Sequence, residues 1–147
     1  MKWMKPAVTV VLMGGMFALG MMSGMQMPDA VAAQADTERV YELRTYYTND
    51  GKLDALHDRF NNHTNQLFVR HNITLIGYWT PADGDDADNT LTYLIAHDSR
   101  EAARANWMAF ISDPDWKAAY AESIKDGKLV KKIDSTYLNP TDYSPLR

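Results

Sequence analysis

The chain lacks cysteine altogether, so it has no disulfide, no thiol nucleophile and no cysteine-ligated metal. It also lacks an excess of basic residues, because 15 Lys and Arg face 19 Asp and Glu and the net charge is −4. A nucleic-acid-binding protein needs a basic face to displace counterions from phosphates, so this charge argues against one. The chain has no glycine-rich phosphate loop and no Gly-x-Ser-x-Gly motif, which leaves nucleotide transfer and serine hydrolysis without support.

Methionine is scarce beyond the first 27 residues, which hold eight of the nine methionines. This segment has the parts of a secretory signal, namely a lysine-containing start, an uncharged and largely apolar run over residues 6–27, and small residues up to Ala35. We therefore predict a signal peptide over residues 1–35 that is cleaved near Ala35.

The alternative for this segment is an uncleaved membrane anchor, since the apolar run approaches the roughly 20 residues that span a bilayer. Four glycines in the run and the helix-breaking Met27-Pro28-Asp29 that follows favour cleavage. The prediction is thus a periplasmic or secreted protein without a stable membrane anchor after cleavage, in which residues 36–147 form a single domain.

Residues 36–147 show the pattern of an α+β domain. Stretches rich in β-branched and aromatic residues predict four strands, at 40–47, 73–80, 90–97 and 129–138. Apolar residues at steps of three and four predict a helix over 52–71. A second helix opens at Asp98 with Glu101 three residues later, as in a capping box, and restarts at Asp113-Pro114.

In the first predicted helix, one apolar face is made by Leu53, Leu56, Phe60, His63 and Leu67. The polar residues that lie away from it are Asp54, Asp58, Arg59, Asn61 and Asn65. This pattern predicts that His63 faces the core and that Arg59 does not.

The element order βαββαβ predicts a ferredoxin-like fold, a four-stranded antiparallel sheet with the helices on one face. Apolar and aromatic residues occur at both parities of the second and third strands. Both faces of the sheet therefore look covered, although helices cover one only. We infer a homodimer in which two sheets face each other.

The first strand carries three polar or semi-polar residues on one side, Glu42, Arg44 and Tyr46. Such a row needs partners when it is buried. One interpretation is structural, an internal ion pair or a network across a dimer with Arg44 as the multi-donor anchor. The other is a polar pocket, in which Arg44 holds a carboxylate or an enolate and Tyr46 donates a hydrogen bond.

The four histidines, His57, His63, His71 and His97, are not spaced as a helical metal pair, so we predict no metal site. We also expect no cofactor, although a haem needs only one axial histidine and His63 or His71 could supply it. Among the aromatic residues, Trp79 and Trp116 are candidates for the wall of a small-molecule pocket or simply for the core. The residue types single out no catalytic residue.

Five segments together resemble the NIPSNAP family, and the resemblance extends over residues 39–147: Tyr41–Tyr46, Gly51–Leu53, Gly77–Trp79, Asp113–Trp116 and Leu138–Arg147. The resemblance implies a dimeric α+β barrel. Relatives in that superfamily include cofactor-independent monooxygenases, haem-degrading enzymes and binding proteins, so the family implies more about fold than about activity.

Three hypotheses follow for the function. The first is binding of a small apolar or aromatic ligand between sheet and helices. The second is a cofactor-independent monooxygenase or isomerase, in which Arg44 stabilises an oxyanion and His63 or His71 acts as base. The third is a structural or interaction protein without a pocket. A closed core contradicts the first two, whereas a cavity where Arg44 and a histidine converge favours the enzyme.

Overall fold

The structure, a computed structural model, describes residues 39–146. The predicted signal peptide over residues 1–35 lies outside the described residues, so it stays a prediction. Within residues 39–146, no helix has both the length and the apolar character needed to cross a membrane.

The described residues form a four-stranded antiparallel sheet with helices, in the predicted βαββαβ order. The strands run in the spatial order β2-β3-β1-β4, so β1 and β3 are central and β2 and β4 are edges. The elements in chain order are β1 (Val40–Thr48), α1 (Leu53–Arg59), a π-helical turn (Phe60–Thr64), α2 (Asn65–Arg70), β2 (Thr74–Trp79), a 3₁₀ turn (Ala87–Asn89), β3 (Thr90–His97), α3 (Arg100–Ser112), α4 (Pro114–Ser123) and β4 (Val130–Leu138).

Local capping signals set the start of the two later helices. Asp113 caps α4, because its Oδ1 accepts the amide of Asp115 at 2.7 Å and Pro114 needs no amide partner at the first position. At α3 the predicted capping box at Asp98 is wrong by one residue. Ser99 is the cap, and its Oγ accepts the amide of Ala102 at 3.0 Å.

The π-helical turn changes which residues of the first helix face the core. Thr64, not His63, is buried there, with 2% of its surface exposed, while His63 is exposed. A π turn holds about one residue more than an α turn, so the apolar face shifts by one position after Phe60. The prediction that His63 faces the core was therefore wrong, and so was the prediction for Arg59, which is 5% exposed.

The helix-facing side of the sheet carries most of the core. Tyr93 and Ile95 of β3 are fully buried, and the rings of Phe60 and Phe68 meet Tyr93 with centroids 5.2 and 6.2 Å apart. Glu42, Arg44 and Tyr46 belong to this side, because their partners on β3 are Ile95, Tyr93 and Leu91. The row of polar residues on β1, for which the sequence allows two interpretations, thus faces the helices.

The opposite side of the sheet is only partly covered in the single chain. Leu43, Trp79 and Leu138 are 36%, 54% and 39% exposed. The indole of Trp79 lies back over Gly77, where an added Cβ would come within 2.7 Å of the ring. This side, which we call the open face, is a broad surface with apolar residues on β1, β2 and β4.

The π turn gives a first prediction, because the Thr64 hydroxyl donates to the carbonyl of Arg59 at 3.2 Å inside the buried turn. Thr64→Val keeps the shape and removes this bond, so the free energy of unfolding should fall by about 1 kcal/mol in urea titration. Thr74→Val, at an exposed position of β2, is the matched control and should change little. Equal effects of the two variants would contradict a role of the hydroxyl in holding the turn.

Candidate functional site

A cavity of about 360 Å³ lies between the sheet and the helices. Its walls are mostly aromatic and come from β1, the π turn, α2, α3 and α4: Tyr46, Phe60, Phe68, Phe110, Trp116 and Tyr120. Aliphatic residues from the start of β4 and the segment before it close one side: Ile124, Leu129, Val130 and Ile133. This mixture of apolar walls and few polar groups is typical of sites for small organic molecules.

The polar residues of the cavity are of two kinds. Buried ones are Arg59 and Thr64, both on the helix that contains the π turn. Exposed ones are the three lysines Lys128, Lys131 and Lys132, which therefore mark the solvent side of the cavity. The described lining includes no Asp or Glu.

Arg59 reaches the cavity beside two aromatic rings. Its guanidinium carbon lies 5.4 Å from the ring centroids of both Trp116 and Tyr120, and its Nη1 donates to Ser123 Oγ at 3.2 Å. Burial lowers the pKa of Arg59, only in part opposed by the phenol oxygens of Tyr46 and Tyr120. An arginine remains charged at neutral pH even so, and the side chain brings a full positive charge to the cavity.

Beside the cavity, a buried carboxylate joins three strands and a helix. Glu42 Oε1 accepts Arg44 Nη1 at 2.5 Å and Ser135 Oγ of β4 at 2.6 Å, while Oε2 accepts the indole N–H of Trp107 on α3 at 2.6 Å. Nε2 of His97 on β3 lies 3.4 Å from Oε2. We call these five residues the Glu42 network.

The Glu42 network holds its central group charged. Burial alone would raise the pKa of Glu42, but contacts from His97, Ser135 and Trp107 and the charge of Arg44 outweigh it and lower the pKa from 4.5 to about 2. Arg44 also stacks on Trp107, with its guanidinium carbon 4.6 Å from the ring centroid. Glu42 and Arg44 are thus an internal ion pair, as the structural interpretation of this row predicts.

The network reaches the cavity through one residue. Arg44 Nη2 donates to the phenol oxygen of Tyr46 at 3.3 Å, and Tyr46 is part of the cavity wall. Arg44 itself stays behind this ring, outside the lining. The pair Arg44 and Tyr46 therefore lies together, as predicted, but only Tyr46 faces the cavity.

Of the other predicted site residues, one lines the cavity and three lie outside it. Trp116 lines the cavity beside Arg59. Trp79 lies on the open face, and His63 is exposed on the outer side of the helix, because the π turn rotated it away. His71 ends α2 and its Nε2 lies 2.7 Å from Asp113 Oδ2, so it supports the cap of α4 instead of the cavity.

Asp113 has a second partner at the C-terminal end of α2. Arg70 Nη1 lies 3.2 Å from its Oδ2, so the carboxylate connects α2 with the start of α4. The contact with His71, together with the amide of Asp115 and with Arg70, lowers the pKa of Asp113 to about 2 against the smaller effect of burial. Among residues 39–146, no group of three histidines, aspartates or glutamates is placed to hold a metal ion.

Three residues of the site were missed by the sequence analysis, Arg59, Thr64 and Trp107. The burial of Thr64 follows from the π turn, which leaves no periodic signal in a single sequence, and the burial of Arg59 follows from its contacts with α4. Nothing in the spacing of Trp107 indicates that its indole N–H donates to Glu42. The sequence does give a signal for Glu42, the acceptor in this contact, because a buried glutamate in a strand needs hydrogen-bond donors.

The chain is similar to known proteins in its sequence and in its fold. The family model described as NIPSNAP matches residues 41–145 of the chain. No curated protein matches it. Two solved structures of similar fold are an uncharacterized NIPSNAP-like domain protein from Burkholderia xenovorans and a NIPSNAP family protein with unknown function from Agrobacterium tumefaciens.

These structures share the fold at low sequence identity. The Burkholderia protein has a TM-score of 0.64 and 18% identity over 74% of this chain and 90% of its own. The Agrobacterium protein has a TM-score of 0.65 and 22% identity over 76% of this chain and 96% of its own. A proposed antibiotic biosynthesis monooxygenase from Nitrosomonas europaea has a TM-score of 0.53 and 9% identity, over 73% of this chain and 94% of its own.

The Glu42 network yields a prediction for the pH dependence of stability. The pKa of Glu42 in the folded protein is about 2, below the ordinary 4.5, so its contribution is complete above about pH 5 and is lost as the pH falls toward 2. Glu42→Gln should lower the free energy of unfolding at pH 7 by about 3 kcal/mol, because it leaves Arg44 buried without its anion. The difference between the two proteins should shrink on acidification, as measured by urea unfolding from pH 7 to pH 2.5.

The control is Asp85→Asn, at an exposed position of the loop between β2 and β3. It should leave both the stability at pH 7 and its pH dependence close to those of the unchanged protein. A constant gap between the Glu42→Gln variant and the unchanged protein across the whole pH range would refute the ionised state of Glu42 as its cause.

Proposed function

Because this chain belongs to the NIPSNAP family, we propose that it is an exported homodimeric NIPSNAP-like domain that binds a small apolar or aromatic ligand between its sheet and its helices. The observation that carries the proposal is the aromatic cavity of about 360 Å³. Cavities that hold small molecules range from roughly 300 to 1,000 Å³, and an apolar cavity of about 150 Å³ takes up benzene. The size supports a ligand of about ten to fifteen non-hydrogen atoms.

The composition of the walls supports an apolar or aromatic ligand. Phe110 packs against Trp116 with ring centroids 4.5 Å apart, and Trp116 packs against Tyr120 at 5.6 Å, so a continuous row of tilted rings lines one side. Flat rings of this kind offer a large contact area and few rotatable bonds. A planar or elongated apolar molecule fits such a surface better than a strongly polar one.

The two other hypotheses are less well supported. The enzyme hypothesis needs a base that converges with Arg44 on one point, but neither His63 nor His71 lines the cavity and Arg44 lies behind Tyr46. The hypothesis of a structural protein without a pocket needs a filled space between sheet and helices, and the cavity counts against it. Binding without assigned catalysis is the function that the geometry supports best.

The homodimer is proposed from the open face. Leu43 lies on central strand β1, while Trp79 and Leu138 lie on the two edge strands, so apolar surface extends across the whole sheet. Lys132 and Asp134 of β4 bind each other at 2.8 Å beside this surface. Their opposite charges are already paired, so the rim of the open face does not repel a second copy.

Ligand binding is tested by filling the cavity from its rim. Ile133→Trp places a large ring at a lining position that is 47% exposed and should weaken binding of naphthalene, a neutral aromatic probe, at least tenfold. Titration calorimetry gives the dissociation constants, and thermal melting reports whether the variant folds.

The matched control is Ile111→Trp, since Ile111 is 48% exposed on α3 and does not line the cavity. This variant should bind naphthalene as the unchanged protein does. Equal loss in both variants, or no loss in either, would show that the probe binds elsewhere, and the absence of binding to the unchanged protein would count against the proposal itself.

The proposed dimer and the predicted cleavage of the signal peptide are tested together by native mass spectrometry of protein recovered from the periplasm. We expect twice the mass of residues 36–147, which reports cleavage near Ala35 and two copies at once. Leu43→Asp should convert this species to a monomer, because it puts a charge in the middle of the proposed interface. Val69→Asp, at a 62% exposed position of α2, should leave the dimer intact. A monomeric unchanged protein would refute the homodimer.

A further inference from the structure

Arg59 is a buried charge without an anionic partner. Its side chain is 5% exposed, its Nε has no hydrogen-bond partner, and its Nη1 bonds only the neutral hydroxyl of Ser123. Within residues 39–146, no Asp or Glu forms an ion pair with it. Proteins normally pair a buried arginine with a carboxylate, because an isolated buried charge is strongly unfavourable.

Arg44 provides the contrast within the same chain. It is also largely buried, yet its guanidinium is neutralised by Glu42 at 2.5 Å. The fold therefore compensates one buried arginine with its own carboxylate and leaves the other facing a cavity. The Trp116 and Tyr120 rings at 5.4 Å relieve part of the desolvation cost of Arg59, but they supply no negative charge.

The charge of the whole cavity has one sign. Arg59 lies among its buried residues and Lys128 and Lys131 among its exposed ones, while the third lysine, Lys132, is paired with Asp134, and no acidic residue lines the cavity. The chain as a whole has a net charge of −4, so this concentration of cations differs from its average. Exposed cations at the entrance and a buried cation further in attract an anion and draw it inward.

We propose that the ligand is a small organic carboxylic acid, bound with its carboxylate on the guanidinium of Arg59 and its apolar body against the aromatic walls. The inference rests on the proposed ligand-binding function and names the chemical class of the ligand. A guanidinium matches a carboxylate with two parallel N–H···O bonds, which fixes the orientation of the molecule as well as its charge. Ser123 and the two rings hold the guanidinium in place before the ligand arrives.

The arginine lies directly beside the π turn. Arg59 is the last residue of α1, directly before the turn, and its carbonyl accepts the hydroxyl of Thr64, which lines the same cavity. π turns are rare and occur frequently at functional sites, because they turn a side chain out of the regular α-helical register. Here the turn accompanies a buried arginine where the α-helical pattern predicts a solvent-facing one.

The test compares two probes of nearly equal shape, phenylacetate and phenylacetamide, on the protein expressed from the full chain. We expect phenylacetate to bind at least tenfold more tightly, as measured by titration calorimetry at pH 7. Arg59→Met should abolish this preference and leave the affinity for phenylacetamide within about twofold. Arg59→Lys should retain part of the preference, because it keeps the charge and loses the paired geometry.

The stability of the free protein gives a second, independent measurement. Arg59→Met should raise the melting temperature or leave it unchanged, because it removes an uncompensated buried charge. Arg44→Met should lower it, because Glu42 then loses its cation. Arg70→Met, at an exposed arginine of α2, is the control and should leave the preference for phenylacetate intact.

The outcomes separate the two proposals. Binding of both probes with equal affinity leaves the ligand-binding function standing and overturns the carboxylate site, and so does a preference that persists in the Arg59→Met variant. No binding of either probe, nor of naphthalene, counts against both. If the Arg59→Met variant does not fold, the comparison in the unchanged protein and in the Ser123→Ala variant, which should weaken phenylacetate alone, decides the matter.

Discussion

The carboxylate of Glu42 is the interaction on which the arrangement of strands and helices depends. It receives donors from its own strand through Arg44, from edge strand β4 through Ser135 and from α3 through Trp107. β4 is largely exposed on both sides, so pairing with β1 and this contact hold it in place. A buried ion that satisfies its neighbours in this way selects one arrangement among several with similar apolar contacts.

The cavity exists because the polar network fills one part of the space between the layers and aromatic rings fill another only incompletely. At the Glu42 network both carboxylate oxygens accept hydrogen bonds and the charge of Arg44 is paired with that of Glu42, so no unpaired charge remains there for a ligand. At Arg59 the same layer offers a cation, flat rings and an opening on the lysine side. The two buried arginines therefore differ in their surroundings. Arg44 is paired with Glu42 inside the core, whereas Arg59 lines the cavity without an anionic partner.

The two sides of the sheet carry different kinds of residues. The helix-facing side holds the buried charges, the core and the cavity. The open face holds no buried ion pair among the described residues, and its exposed apolar residues are suited to contact with another sheet. Since strand residues alternate between the sides, each strand carries both patterns at once, and this explains why apolar residues occur at both parities.

The order of the elements and many of their limits can be predicted from the amino-acid sequence alone. The third strand was predicted at its observed bounds, 90–97, and Asp113 caps α4 as its Asp-Pro signal indicates. These features depend on backbone chemistry within a few residues, which a single sequence displays. The row Glu42, Arg44 and Tyr46 could be recognised as a set that needs partners, although not which partners.

Three features depend on the packing of the whole domain: the side of the sheet that this row faces, the burial of Arg59 and the exposure of His63. The first two depend on where the helices pack, and the third on a π turn in which Thr64 is buried and His63 is not. Interactions between distant segments determine all three, and no local period records them. The site is for this reason less predictable than the fold that carries it.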